Sequence, residues 1–331
     1  MRRVVVARHG GPEVLELHDV ETPAPAPGQV LVRHSWVGVN FVDVMYRRGG
    51  DYHVDLPFTP GVEAAGVVEA VDHGVEGVNI GDRVTYTGFH NASYAEAGLV
   101  PAASVLPTPR GIDDRTAAAV AMQGGTAAVL LTMAQSVSPG DVVVVTAAGG
   151  GVGAFLTQAA TAMGARVVAQ ASSPEKAAYA EQSGAERVVR SYVDLSAAVD
   201  ELTDGKGAVA AFDAVGQAAA ESVLASLAVR GHYVLYGKTT GPITGFDLDR
   251  LSGFQGDHIR GAARVSWVSG YHYLQERSDA LAVQATLARW VGDGVIRPRV
   301  AAEFELAEVA DAHRALEERS LAGKVLLRIG N

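Results

Sequence analysis

Residues 142–153 have the sequence VVVVTAAGGGVG, and this segment gives the clearest indication of how the chain folds. Four consecutive valines predict a strand that is buried on both faces, as in a parallel sheet. The glycines that follow lead directly into an apolar helical pattern at 152–163. In this context glycines let the backbone approach a pyrophosphate, whose charge is stabilised by free amides at the helix N-terminus. We therefore predict that Gly150, Gly151, Val152 and Gly153 bind a dinucleotide; the alternative is a flexible glycine turn that binds none.

The sequence after this segment continues to alternate between strands and helices. Further strand patterns occur at 166–171, 187–189, 209–213 and 233–236, with helical patterns between them. This alternation is typical of a doubly wound parallel sheet, the Rossmann fold. We assign residues 123–261 to such a dinucleotide-binding domain.

The chain on either side of that domain has a different pattern. In the first part, short β-branched runs bounded by glycine or proline predict antiparallel strands at 4–8, 15–20, 29–39, 63–71 and 83–87. The last part combines two helical patterns, 279–292 and 308–318, with a final strand at 324–328. We therefore predict an α/β protein in which the Rossmann domain interrupts a β-rich catalytic domain, residues 1–122 and 262–331.

The end of the second Rossmann strand indicates which dinucleotide binds. Enzymes that use NAD carry an acidic residue there for the ribose 2′-hydroxyl, and residues 169–173 contain none. Ser172 and Ser173 lie at that end instead, and Lys176 follows one helical turn later. Hydroxyls and an ammonium would bind the 2′-phosphate of NADP, so we predict NADPH as the cofactor. The alternative is that Ser172 only caps the next helix and Lys176 is a solvated surface charge.

The composition excludes several other classes of protein. In 331 residues there are 27 Lys and Arg against 37 Asp and Glu, a net charge of −10. That charge argues against a nucleic-acid partner, whose phosphates require a basic face. The chain has no cysteine, and therefore no disulfide, thiolate nucleophile or Cys-ligated zinc. No leader or membrane span is expected, since the apolar run at 4–7 is short and the run at 117–131 is interrupted by polar residues and glycines. A cytoplasmic protein fits these features.

Eight short motifs occur in order along nearly the whole chain. They are GGPEVL (10–15), GVNFVD (38–43), PGVEAAG (60–66), GDRV (81–84), QGGTA (123–127), AAGGGVG (147–153), FDAVG (212–216) and AHRALE (312–317). Together they resemble the medium-chain dehydrogenase/reductase superfamily, and most closely its zinc-independent quinone oxidoreductases related to zeta-crystallin. The resemblance implies a GroES-like fold for the β-rich domain, a homodimer, and NADPH-dependent reduction of a quinone.

The resemblance also separates the chain from zinc-dependent members of that superfamily. In those members a Cys in the second motif and the His of a Gly-His-Glu triplet bind the catalytic zinc. Here the second motif has Asn40 and Asp43, and the triplet is Gly61-Val62-Glu63, so we expect no metal. Without a Lewis acid, hydride transfer favours an acceptor that is already electrophilic, such as a quinone or an enone.

The catalytic candidates are Asn40, Asp43, Tyr46, Tyr52, Gln123 and Thr126. The resemblance implies four of them; family members often carry a tyrosine two residues after the acid, but this chain has Met45 there, and Tyr46 or Tyr52 could substitute for it. Besides the glycine turn, the two serines and Lys176, the residues that the resemblance implies to contact the cofactor are Asn40, Gly124, Thr126, Tyr192, Val215 and Lys324. Gly237 and Lys238 are further cofactor candidates, because they follow a strand at the carboxyl edge of the sheet, where such sheets bind ligands. Lys324 matches a segment that closes over the cofactor phosphate. The alternatives are that Asp43 holds a loop by hydrogen bonds and that each tyrosine is a packing residue.

We therefore predict an NADPH-dependent quinone oxidoreductase with a small-molecule substrate and no nucleic-acid or membrane partner. Two alternatives remain open. One is NADPH-dependent reduction of an enone or enoyl C=C bond. The other is a non-catalytic NADPH-binding protein, of the crystallin or RNA-binding type, and the net charge of −10 counts against RNA.

Overall fold

The computed structural model describes residues 1–50, 53–88, 93–256, 258–318 and 321–330. The chain divides into two compact units. Unit 1 consists of Met1–Met122, Ala280–Gly292 and Pro298–Asn331. Unit 2 consists of Gln123–Asp279 and Asp293–Arg297.

The strands and helices are numbered in chain order. The strands are β1 (Arg2–Val5), β2 (Glu16–Asp19), β3 (Gln29–Val39), β4 (Glu63–Val71), β5 (Arg83–Thr87), β6 (Ala97–Pro101), β7 (Val105–Pro107), β8 (Val142–Val145), β9 (Arg166–Gln170), β10 (Arg187–Val189), β11 (Ala208–Asp213), β12 (Leu227–Leu235), β13 (Arg264–Trp267), β14 (Val300–Glu305) and β15 (Lys324–Arg328). The helices are α1 (Phe41–Arg48), α2 (Asp114–Val129), α3 (Gly151–Ala162), α4 (Pro174–Gln182), α5 (Leu195–Thr203), α6 (Ala220–Ser226), α7 (Gly270–Tyr273), α8 (Arg277–Gly292) and α9 (Val309–Glu317).

Unit 2 is built on a parallel sheet with the strand order β10-β9-β8-β11-β12-β13. The four valines of β8 are all buried near the centre of this sheet. Both faces of β8 are buried, so apolar side chains occupy every position and the sequence lacks the alternation of a half-exposed strand. This is the doubly wound sheet that the sequence predicts.

Unit 2 extends beyond residue 261, where the sequence predicts the end of the Rossmann domain, and continues to Asp279. Residues 264–267 form β13, which extends the parallel sheet beside β12. This strand is only four residues long and largely exposed. A short exposed edge strand has no apolar run and no clear alternation, so its sequence carried no signal.

Unit 1 is built on a mixed sheet with the order β14-β15-β3-β4-β5-β7, and β6 also pairs with β3. Its pairs are antiparallel except β14 with β15. Strand β15 comes from the end of the chain and pairs with β3, as expected for a tail that returns to the first domain. Gly66 on β4 faces the backbone of Arg33, where a side chain would overlap the carbonyl group. The β3–β4 pairing therefore depends on glycine at that position.

One helical run in the described part of the chain, 114–134, is long and apolar enough to cross a membrane by length and composition. It consists of α2 and a π-helical turn at Leu130–Ala134. Of its most apolar window, 61% is buried inside the protein. The core helix of a soluble protein passes the same test.

Candidate functional site

The glycine turn of unit 2 connects β8 to the first turn of α3. Ala147 has a φ of 49°, in the left-handed region, and the chain turns sharply there. Gly150 is the N-cap of α3 and supplies no side-chain hydrogen bond to the amides of the first turn. These amides lack a partner within the helix and carry the positive end of its dipole. The turn therefore presents donors to an anion at the carboxyl edge of the sheet.

Close packing explains why this turn consists of glycines. A side chain on Gly149 would overlap Lys176, and one on Gly151 would overlap the amide of Gln123. A Cβ on Gly153 would lie 2.5 Å from the carbonyl oxygen of Ala147, at the start of the turn. The turn is therefore held between α2 and α4, and Lys176 and Gln123 are both placed beside it.

Hydroxyl and basic groups converge at the end of β9. Ser173 is the N-cap of α4, and its Oγ accepts a hydrogen bond from the amide of Lys176 at 3.3 Å. Arg190, which the sequence reasoning missed, donates from Nη2 to the carbonyl oxygen of Ser172 at 2.9 Å. Residues 169–173 contain no carboxylate, so this end of the sheet suits a phosphate. The capping role of Ser173 and a role in binding are compatible.

On the other side of β8, the turn after β11 is fixed by the side chain of Asp213. Its Oδ1 accepts bonds from the hydroxyl of Thr146 at 2.5 Å and the amide of Val215 at 2.9 Å. Its Oδ2 accepts bonds from the hydroxyl of Tyr233 at 2.6 Å and the amide of Gly216 at 3.0 Å. The buried carboxylate thus receives four donors, and the turn that contains Val215 is held rigidly at the carboxyl edge.

The remaining cofactor candidates occupy several positions in unit 2. Gly237 follows β12, and a Cβ there would lie 2.7 Å from the carbonyl oxygen of Ala214, so the two turns are in contact. Lys238 comes next in the same turn. Tyr192 lies half-buried in a short 3-10 helix and packs against the core of unit 2. Gly124 and Thr126 lie on α2. Their contacts with a cofactor remain predictions.

Unit 1 contains a buried ion pair between Lys324 and Glu63. The ammonium also donates to Oδ1 of Asn40 at 2.9 Å, and Nδ2 of Asn40 donates to the Glu63 carboxylate at 2.6 Å. The other carboxylate oxygen accepts the amide of Met122 at 2.7 Å. A side chain on Gly38 would overlap the carboxylate. Glycine on β3 therefore makes room for a charge that its partners neutralise.

A second chain of hydrogen bonds in unit 1 ends at Asp43. Arg47 donates from Nη1 to Nδ1 of His313 at 3.2 Å. Because a guanidinium cannot accept, Nε2 of the neutral imidazole carries the proton, and it lies 3.0 Å from the hydroxyl of Tyr94. That hydroxyl donates to Oδ2 of Asp43 at 3.1 Å, and the amide of Asn40 donates to the same oxygen at 2.9 Å. The protons of this chain all point toward Asp43.

Burial shifts the pKa values of two members of this chain, His313 and Asp43. Burial, assisted by the charge of Arg47, lowers the pKa of His313 to about 3, so the imidazole is neutral at physiological pH. Burial raises the pKa of Asp43 to about 7, although the hydrogen bond from the Asn40 amide acts in the opposite direction. Oδ1 of Asp43 is buried and has no hydrogen-bond partner in the described structure. Asp43 therefore exchanges its proton near neutral pH, the range useful for a proton donor or acceptor.

The structure adds contacts for two of the predicted residues. Lys324 is buried, and its ammonium binds Glu63 and Asn40, so its contact with a cofactor phosphate stays a prediction. Tyr46 lies on α1, is 8% exposed and packs in the core of unit 1, and its catalytic role also stays a prediction. Tyr52 lies outside the described residues, and its role stays a prediction.

The structure brings Asn40 and Asp43 together with three residues that the site prediction omitted, Glu63, Tyr94 and His313. Glu63 and His313 both lie in recognised motifs, PGVEAAG and AHRALE, so a signal for them existed. Tyr94 had none, since its hydroxyl reaches a residue 51 positions away.

Among the described residues, no group of three or more His, Asp and Glu side chains is arranged to hold a metal ion. The two positions that match zinc ligands in zinc-dependent proteins carry Asn40 and Val62. The amide of Asn40 is bonded to Glu63 and Lys324. A metal-free site remains the prediction.

Comparison with known proteins gives matches over nearly the whole chain. Residues 26–139 match the family model for the alcohol dehydrogenase GroES-like domain, and residues 151–281 match the model named zinc-binding dehydrogenase. A quinone oxidoreductase of Pseudomonas aeruginosa is 36% identical over 327 residues, covering 98% of this chain and 99% of that protein. A 2-haloacrylate reductase of Burkholderia sp. is 32% identical over 329 residues, covering 98% of this chain and 97% of that protein. The structure of Escherichia coli quinone oxidoreductase complexed with NADPH has a TM-score of 0.92 at 31% identity, with 99% of this chain and 100% of that chain covered. These matches confirm the resemblance inferred from the motifs and the predicted fold class.

Replacing Lys324 by Met should destabilise the protein strongly, because the charge of Glu63 would stay buried without its cation. We expect the free energy of unfolding, measured by urea denaturation, to fall by about 3–5 kcal/mol. Arg33→Met is the matched control, since it removes the exposed Arg33–Glu69 pair and should cost no more than about 1 kcal/mol. The double variant Glu63→Met with Lys324→Met should regain most of the lost free energy of unfolding. Equal losses of stability in Lys324→Met and Arg33→Met would contradict this account of the buried pair.

Proposed function

The chain belongs to the quinone oxidoreductase family of the medium-chain dehydrogenase/reductase superfamily, and from this premise we propose that it oxidises NADPH and reduces a quinone. The observation that carries the proposal is the glycine turn, whose uncapped helix amides lie beside the basic, carboxylate-free end of β9. This arrangement fits a pyrophosphate together with a 2′-phosphate. The substrate is a small molecule.

Bound NADPH would supply a hydride from C4 of its nicotinamide. The first amides of α3 bind the pyrophosphate, and the glycines allow the backbone to approach it closely. Lys176 and Arg190 neutralise the 2′-phosphate, while Ser172 and Ser173 add hydrogen bonds. Pairing of charged groups with a phosphate is worth more than neutral hydrogen bonding, so the two cations carry the preference for NADPH.

In unit 1, Asp43 is the candidate proton donor of the reaction. Its Oδ2 accepts two hydrogen bonds, from Tyr94 and from the amide of Asn40. The proton of the neutral acid is therefore held on Oδ1, which has no partner in the described residues. Asn40 is held in one orientation by Glu63 and Lys324, so the N-terminus of α1, which carries both Asn40 and Asp43, is preorganised.

Reduction of an activated C=C bond is the second candidate function. The observation in its favour is the 32% identity to a 2-haloacrylate reductase over 98% of the chain. Both reactions deliver a hydride to an acceptor whose negative charge is delocalised onto oxygen, so one site can serve either.

A screen of NADPH oxidation over quinones, enones and aldehydes tests the proposal. We expect turnover with quinones, little with simple aldehydes, and no change after exhaustive EDTA treatment. Turnover with enones and not with quinones would favour the second candidate. NADPH binding without turnover on any acceptor would contradict enzymatic activity, and activity lost to EDTA and restored by zinc would overturn the metal-free site.

Lys176→Glu should weaken NADPH binding much more than NADH binding, because only NADPH carries the 2′-phosphate. We expect the Kd for NADPH to rise at least about tenfold, which corresponds to about 1.4 kcal/mol, and the Kd for NADH to change less than about twofold. Nucleotide fluorescence titration measures both constants. Lys206→Glu makes the same change of charge at the opposite, amino end of β11 and is the control. An equal effect of Lys176→Glu on the two nucleotides would refute the phosphate role.

We also propose that the protein is a cytoplasmic homodimer joined through the edge strand β13. Val265 and Trp267 on this strand are 44% and 50% exposed, and an unpaired edge with apolar side chains favours pairing with a second chain. Light scattering should give twice the chain mass of 34.4 kDa. Val265→Lys should shift the mass toward the monomer, and Val229→Lys, at a residue 59% exposed on β12, should not. A monomeric wild-type protein would contradict the proposed dimer.

The proposed cytoplasmic location is tested by cell fractionation. Recovery of the protein in a membrane or secreted fraction would contradict it.

A further inference from the structure

The hydroxyl of Tyr236 is buried and has no hydrogen-bond partner in the described structure. Tyr236 directly follows β12, and its amide donates to the carbonyl oxygen of Asp213 at 2.9 Å, so its backbone position is fixed. A buried hydroxyl without a partner destabilises the folded state by the full cost of removing it from water. A ligand that accepts a hydrogen bond from the Tyr236 hydroxyl would offset this cost.

The carboxylate of Asp213, whose charge acts on Tyr236, is already occupied by other donors. Asp213 already receives four donors, including the hydroxyl of Tyr233 at 2.6 Å and that of Thr146 at 2.5 Å. Burial and the charge of Asp213 raise the pKa of Tyr236 well above its usual range. The hydroxyl therefore keeps its proton at physiological pH and requires an oxygen or nitrogen acceptor.

The position of Tyr236 in the sheet indicates the kind of ligand. In the order β10-β9-β8-β11-β12-β13, the pyrophosphate turn follows β8. The groups suited to the 2′-phosphate lie at the end of β9, on one side of that turn, so the adenosine half of a dinucleotide extends that way. The nicotinamide half then extends toward the ends of β11 and β12. Tyr236 lies at the carboxyl end of β12, beside the contacting turns of Gly237 and Ala214.

We propose that the Tyr236 hydroxyl donates a hydrogen bond to an oxygen on the nicotinamide half of the bound dinucleotide. The carboxamide and the adjoining ribose of that half both provide oxygen acceptors. The inference rests on the proposed function, since it takes the dinucleotide to be NADPH. Tyr236 is thus a cofactor ligand outside the glycine turn and the phosphate-binding end of β9.

Tyr236→Phe removes the hydroxyl and keeps the ring. The expected result is a Kd for NADPH raised about three- to tenfold, as for loss of one hydrogen bond, measured by nucleotide fluorescence with no acceptor present. The Kd for adenosine 2′,5′-bisphosphate, which lacks the nicotinamide half, should stay within about twofold of the wild-type value. The melting temperature of the nucleotide-free protein should stay the same or rise, because an unsatisfied polar group has been removed.

Tyr233→Phe is the matched control, because its hydroxyl has an internal partner in Asp213, and its melting temperature should fall. An unchanged NADPH Kd for Tyr236→Phe would overturn the proposal, and a raised KM for the quinone alone would assign the hydroxyl to the substrate instead. A fall in melting temperature like that of Tyr233→Phe, or an equal loss of bisphosphate binding, would also overturn it. If the wild-type protein bound no NADPH, the proposed function itself would fail, so the two failures are distinguishable.

Discussion

The close approach of three polypeptide segments at the glycine turn is the constraint on which the cofactor site depends. Gly149 and Gly151 lack the side chains that would overlap Lys176 and Gln123. The same contacts therefore serve two purposes: they exclude side chains from the turn, and they bring the start of α4, which carries Lys176, against it. Preorganised donors and a nearby positive charge stabilise a phosphate without rearrangement of the protein.

Unit 1 shows how a buried carboxylate is neutralised by neighbouring side chains. At the positions that match zinc ligands in zinc-dependent proteins the chain has Asn40 and Val62, and the adjacent Glu63 is buried. Its charge is balanced by Lys324, and its remaining bonding capacity is used by Asn40 and a backbone amide. An ion pair that is buried and fully hydrogen-bonded orients its neighbours at a modest net cost. It keeps the first turn of α1, from Asn40 to Asp43, in one conformation.

Sequence patterns predicted the parallel sheet, the glycine turn and the basic end of β9, because each depends on local residue types and spacing. They did not predict β13, a short exposed strand defined by its neighbour in the sheet. They did not predict the buried ion pair of Lys324, because a motif match does not show whether a lysine is exposed. Its partner Glu63 is 261 residues away in the chain. Long-range pairs such as Tyr94 with Asp43, and the isolated hydroxyl of Tyr236, can be recognised only once the fold brings distant segments together.

Hydrogen–deuterium exchange with and without NADPH tests most directly whether the glycine turn is the dinucleotide site. The account predicts that saturating NADPH slows exchange at the amides of 149–153 and at the start of α4. Saturating NADH should protect the glycine turn in the same way and the start of α4 less. Saturable NADPH binding that leaves the exchange of 149–153 unchanged would contradict the account.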